Sequence, residues 1–187
     1  MASIEEIVGY HCAPAIRGIK VANLVAIPRV LEAEWLSVVK TYNERLNKKG
    51  LYFYTLCACP ERRLLFVFRR AMLEAYLRRP EVLTFLSEYG YDATASLDEW
   101  LARLSERVQY SEQFPHEIGV FLGYPLDDVK AFIRFRGSHY KLCGEWKVYT
   151  HRSSAIHAFH SFKMCRDYCQ AQLIKGKALD SLVAVTA

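Results

Sequence analysis

The first residues able to do chemistry stand in "HCAPAIRGIK", which sets an imidazole (His11), a thiol (Cys12) and a proline (Pro14) within four positions. Proline suits the first turn of a helix, where its missing N–H is not needed, so Pro14 predicts a short helix over 15–19 with Cys12 just ahead of it. The unpaired N–H groups of a helix start favour a thiolate. That makes Cys12 a candidate nucleophile or redox thiol with a lowered pKa. His11 cannot serve it, because adjacent side chains in extended backbone point apart. "FPHEIG" contains another base: Cys12 as nucleophile, His116 as base and Glu117 as the group that orients the base meet the residue types a thiol mechanism needs. The competing reading makes Cys12 a small buried hydrophobe and His116 and Glu117 helix-capping residues.

The same atoms suit other chemistry. His11, Cys12 and His116 would make a soft N/S set for zinc or iron, a metal- or haem-binding reading. To it Cys59-Pro60 adds a short thiolate element, with Cys57 on the same strand face as Cys59. None of the six cysteines has the C-x2-C spacing of a zinc knuckle. Arg17 and Lys20, beside the Cys12 turn, raise the local positive potential and favour a small anionic ligand. His11 and Tyr124 join them as ligand-binding candidates, Tyr124 being one of several aromatics available to line a cleft. Segment 116–136 also has the outline of a helix-turn-helix. Asp127 and Asp128 at the start of its second helix would meet phosphates with like charge, and Arg134 and Arg136 come only at its far end, which argues against nucleic acid.

These residues must be positioned by elements the pattern predicts. "VANLVAIP" is an apolar strand ended by Pro28. Leu31, Trp35, Val38, Val39, Tyr42 and Leu46 keep helical spacing, and Gly50 is a C-terminal cap. "LYFYTLCAC" and "RLLFVFR" flank "PER" as a hairpin. A helical stretch over 71–89 is broken at Pro80. Ser96 to Glu99 is a capping box with Leu97, Trp100, Leu101, Leu104 and Val108 as its buried stripe. A helix after Pro125 ends near Gly137, "YKLCGEWKVYT" is a strand or hairpin, and a final helix covers 153–175. The order predicts an α+β fold, with helices packed on a small, mainly antiparallel sheet.

Two segments, "HCAPAIRGIK" continuing to "ANL" and "FPHEIGVFLGYPLDDVKAFI", followed by "GEWKVY", resemble a family of bacterial proteins found mainly in anaerobes and catalogued as a domain of unknown function. The resemblance covers nearly the whole chain and departs from its pattern at Val21. It implies one intact domain and brings no activity, cofactor or catalytic residue with it.

Composition bounds the rest. The chain has 187 residues, which suits a single domain over 1–187 with a sizeable core. A hydrophobic share of 52% and an aromatic share of 13% exclude disorder. No apolar run approaches the ~20 residues of a membrane span. Glu5 and Glu6 stand where an export signal carries positive charge, so a cytoplasmic protein with reduced thiols is expected. The net charge of +5 is spread along the chain and permits an anionic partner.

Overall fold

The computed structural model describes residues 3–59, 62–111 and 113–185, with all side chains among them except those at 32, 33, 58, 59 and 62. Strand β3 (Arg62–Arg69) organises these residues. Its alternation sends Leu65 and Val67 to one face and Phe66 and Phe68 to the other, and all four are buried. It is the central strand of an antiparallel sheet, flanked by β1 (Ala22–Ala26) and β2 (Leu51–Cys59). A strand apolar on both faces must be covered on both, and helices do this.

On the Leu65–Val67 face lie α1 (Ile4–His11), α2 (Ala13–Ile16), α3 (Glu32–Leu46), α9 (Arg152–Ile174) and α10 (Leu179–Leu182), contributing Val8, Ile16, Trp35, Cys169 and Leu182 among others. On the Phe66–Phe68 face lie α4 (Arg70–Leu77), α5 (Pro80–Ser87), α6 (Leu97–Tyr110), α7 (Ile118–Phe121) and α8 (Leu126–Arg134), with Leu73, Phe85, Trp100, Phe121 and Val129 inside. A separate hairpin, β4 (Leu142–Cys143) with β5 (Lys147–Val148), leads into α9. The fold is α+β, with a small antiparallel sheet between helices.

Local chemistry explains most boundaries. Ser96 Oγ accepts from Glu99 N at 3.3 Å while Glu99 Oε2 accepts from Ser96 N at 2.7 Å, the reciprocal pair the capping box requires. Pro80 starts α5 and separates it from α4. Gly50 takes φ 74° after α3 and a 3-10 turn, ready to enter β2. The pairing of β2 with β3 slips between Thr55 and Cys57, and the extra residue, Leu56, goes into the core. The sequence reading omits α1, although Ser3 and Glu6 form a second capping box in front of it. It also draws the helix at Pro14 too late: α2 has four residues and stops at Ile16, because the chain turns at Gly18 with φ 73°. No described helix is long and apolar enough to cross a membrane.

Candidate ligand cavity

Cys12 stands between α1 and α2 and serves as the boundary residue of both. Its side chain is wholly buried among Val8, Ile16 and Cys169 on the Leu65–Val67 side of the sheet. Burial pushes its thiol up to about 12, against a smaller opposing pull from the Lys20 ammonium. The sequence expectation of a lowered pKa therefore has the wrong sign. A four-residue helix supplies little dipole, and desolvation of the thiolate outweighs it. Native protein exposed to iodoacetamide is expected to be labelled at Cys143, which faces solvent, with Cys12 reacting only on unfolding. Labelling of Cys12 at the rate of Cys143 would contradict the buried assignment.

His116 is exposed and sits on the other side of the sheet, its ring edge-on to Phe132 with centroids 5.1 Å apart. Ile118 and Val129, with which it lines a cavity, pack on the opposite face of the sheet from Cys12, so His116 does not serve Cys12 as a base. Glu117 does not orient His116 either. It is wholly buried, with Oε1 accepting from Arg107 Nε and, at 3.4 Å, from Tyr91 Oη, while Oε2 has no partner among the described residues. Nor does its side chain cap α7. Among the described residues, no group of three or more His, Cys, Asp or Glu side chains could hold a metal ion. His11, Cys12 and His116 thus do not form the N/S set the spacing permitted. Cys57 is buried, and the Cys59-Pro60 element lies outside the described side chains. In segment 116–136, α7 is four buried residues and the start of α8 is turned inward by Asp128, unlike a helix offered to a DNA groove.

Three of the four predicted ligand residues do converge. His11 from the end of α1, Lys20 from the turn before β1, and Tyr124 from the loop before α8 line one polar cavity of about 390 Å³. Tyr10, Asn23, Leu24, Leu122, Glu145 and Arg166 complete it. The segments around "HCAPAIRGIK", "FLGYP" and "GEW", far apart in the chain, meet here. The fourth residue, Arg17, does not: its Nη1 donates to Leu182 O at 2.9 Å and its guanidinium lies over the Tyr168 ring.

Lys20 is the centre of the cavity. Only 7% of it is exposed, yet its ammonium has no hydrogen-bond acceptor among the described residues. It rests instead against the faces of Tyr124 and Phe162, 5.1 and 5.7 Å from their centroids. Burial lowers its pKa to about 8, partly offset by the carboxylate of Glu145, with Arg166 adding to the lowering. Arg166 Nη2 donates to Glu145 Oε1 at 2.6 Å, so that pair is fixed across the cavity wall. Asn23 Oδ1 accepts from Ala15 N at 3.1 Å, which leaves its amide NH2 as a donor at the cavity. Burial pushes the Tyr124 phenol up to about 12, so it too remains a proton donor at neutral pH.

Leu122 and Tyr124 also bound a second, apolar cavity of about 340 Å³, which includes Phe114, His116, Phe132, Gly144 and Trp146. Its frame depends on Asp128. Oδ2 accepts from Trp146 Nε1 at 2.8 Å, and Oδ1 accepts from Tyr149 N, Thr150 N and Thr150 Oγ1 at 2.9, 2.9 and 2.8 Å. Trp146, so held, stacks on Tyr124 at 5.2 Å and meets Phe159 edge-on at 4.6 Å. Sequence reasoning placed Asp128 in a first helical turn for its charge and missed this bracing role. It also missed Glu145 and Arg166, whose pairing across 21 positions leaves no local signal.

Fold and site together define an α+β protein with a largely buried lysine, without a hydrogen-bond acceptor among the described residues, in a polar cavity beside an apolar one. Residues 8–183 match the family described as "Protein of unknown function (DUF3793)", and the chain belongs to that family. No curated protein and no solved structure matches it.

Proposed function

We propose that this chain is a cytoplasmic protein that binds a small anionic molecule in the Lys20 cavity. The observation that supports the reading is the Lys20 side chain itself, only 7% exposed, in the wall of a polar cavity and with no hydrogen-bond acceptor among the described residues. Desolvating a charge without a partner is expensive, and an anionic group would supply the partner. Lys20 and Arg166 against Glu145 leave one net positive charge in the lining, which suits a single anionic group. The adjoining apolar cavity offers room for a hydrocarbon or aromatic part of the same molecule. Thiol chemistry at Cys12 has no part in this reading. Free thiols at Cys12, Cys143, Cys165 and Cys169 accord with a reducing compartment.

Calorimetric titration with acetate, L-lactate, succinate and inorganic phosphate tests it. At least one is expected to bind wild-type protein at least tenfold more tightly than Lys20→Met, a change of ~1.4 kcal/mol, while Lys163→Met on the surface of α9 leaves binding unchanged. Equal binding by wild type and Lys20→Met, or none by either, would overturn the reading.

The pH dependence has a definite sign. The groups facing Lys20 are Glu145, Arg166, Cys12, His11, Tyr10 and Tyr124. Lys20, brought down to about 8 by burial, governs the alkaline range. Anion affinity is expected to be level below about pH 8 and to fall above it as the ammonium is lost. Ligand-free stability moves the other way. The lowered pKa means that the folded chain holds fewer protons than the unfolded one between about 8 and 10.5, so the penalty of the buried charge is full below 8 and relieved across that window. Lys20→Met should accordingly fold and be more stable than wild type at neutral pH.

A further inference from the structure

Lys and Arg are spread along the chain, but the carboxylates that answer them are not. From Val129 to Arg166 there are eight Lys or Arg and one acid, Glu145, against seventeen and nineteen in the rest. Arg166 already holds Glu145. Elsewhere Arg45, Arg70, Arg103 and Arg107 each pair with a carboxylate. Arg134, Arg136, Lys141, Lys147 and Arg152 pair with none among the described residues, although four of the five are exposed.

Contacts join these cations into one surface at the end of α8 and the base of the β4–β5 hairpin. The Arg134 guanidinium lies 5.3 Å from the Phe135 ring, which meets His139 edge-on and stacks on the buried Tyr149 ring. Lys147 Nζ donates to Gly137 O at 2.7 Å and sits 4.9 Å from the Tyr140 ring, bracing it. Lys141 N donates to Val148 O at 2.8 Å, and Arg152 follows Tyr149 at the start of α9. Arg136 and His139 take φ 49° and 61°, with Gly137 at 74° between them. Non-glycine residues adopt that region rarely. The turn leaves Arg136, His139, Tyr140 and Lys141 exposed, with 45% of Tyr140 open to solvent.

We infer that this surface binds single-stranded nucleic acid, its phosphates on Arg134, Arg136, Lys141 and Arg152 and an unstacked base against the Tyr140 ring. Phosphates supply the counter-charge that the chain omits here. A braced aromatic ring accepts any unpaired base, whereas a duplex keeps its bases stacked on one another. This is not a helix laid in a groove, since the cations stand at the far end of α8 from Asp127 and Asp128. An anionic lipid surface fits less well, because it takes up aliphatic side chains, and no Leu, Ile or Val is exposed between Arg134 and Arg152.

Fluorescence anisotropy of a fluorescein-labelled oligo(dT) of about 12 nucleotides, a length that single-strand sites span, tests the inference. Wild-type protein at ~50 mM salt is expected to bind it about tenfold more tightly than the matching duplex. Four phosphate contacts at ~0.7 each predict a slope of log affinity against log salt near −3. Arg136→Gln combined with Lys141→Gln should weaken binding and flatten that slope by about 1.4. Tyr140→Ala should weaken binding about tenfold at an unchanged slope, and Tyr140→Phe, which keeps the ring, should bind as wild type does. Lys40→Gln, an exposed charge on α3, should change nothing. No oligo(dT) binding by the wild type, or equal binding by the Arg136 and Lys141 double variant, would overturn the inference. Duplex bound as tightly as oligo(dT), or Tyr140→Ala bound as tightly as wild type, would overturn the single-strand assignment. Binding of phosphatidylglycerol vesicles in place of oligo(dT) would assign the surface to lipid instead.

Discussion

Asp128→Ala is expected to lower the unfolding free energy by about 3–5 kcal/mol, the largest loss from any single polar residue near the cavities. Asp128 is 2% exposed and accepts four hydrogen bonds, two of them from the backbone N–H groups of Tyr149 and Thr150. Truncation leaves the buried Tyr149 N–H and the part-buried Thr150 N–H and Trp146 Nε1–H with no acceptor. Each orphaned donor costs ~1–3 kcal/mol, partly recovered where water enters. The hairpin has too little ladder to compensate, since each of its strands is two residues long. Trp146 should then leave Tyr124, so both cavities open together. Asp128→Asn separates charge from acceptance: Oδ1 can keep its three partners, but the new NH2 faces the indole N–H, donor against donor, and an intermediate loss is expected. Chemical denaturation followed by tryptophan emission and far-UV circular dichroism measures both variants. An Asp128→Ala protein within 1 kcal/mol of wild type, with its tryptophan emission unchanged, would show that the hairpin is held by something else.

Arg107→Met is expected to cost a similar ~3–5 kcal/mol at neutral pH, because it strands the Glu117 carboxylate. Glu117 is wholly buried, Oε2 already lacks a partner among the described residues, and without Arg107 the carboxylate keeps only the 3.4 Å contact from the Tyr91 hydroxyl. Burial pushes the Tyr91 phenol up and Glu117 adds to that, so Tyr91 stays protonated and donates one bond, which does not balance a buried charge. The pair itself need not stabilise the fold; breaking it is what costs. Arg107→Met combined with Glu117→Gln should therefore recover much of the loss, and the double-mutant cycle should show a coupling well above the ~0.5 kcal/mol typical of independent sites. A double variant no more stable than Arg107→Met alone would mean that Arg107 acts through its contact with the Tyr89 ring instead.

Both residues show why part of the site was illegible in the sequence. Asp128 and Glu117 each begin or precede a helix, where an acidic residue normally answers the helix dipole, and that local rule hides their partners. Those partners are Trp146, Tyr149 and Thr150 for Asp128, and Arg107 and Tyr91 for Glu117. They lie ten to twenty-six positions away, and no local pattern specifies the approach.

What the sequence by itself determined is what short-range physics controls. The apolar run from Leu64 to Phe68 required a strand, the Ser96 and Glu99 spacing required a helix start, and Pro80 required a break. Only the tertiary structure decided which groups share a cavity and which are desolvated. It buried Cys12 and raised its pKa, sent Arg17 to Leu182, separated His116 from Cys12 and brought Glu145 and Arg166 to Lys20. The reason is that burial is a property of the packed whole. Desolvation shifts a buried thiol or amine by more than a neighbouring residue or a short helix end does, and its extent depends on elements contributed from across the chain.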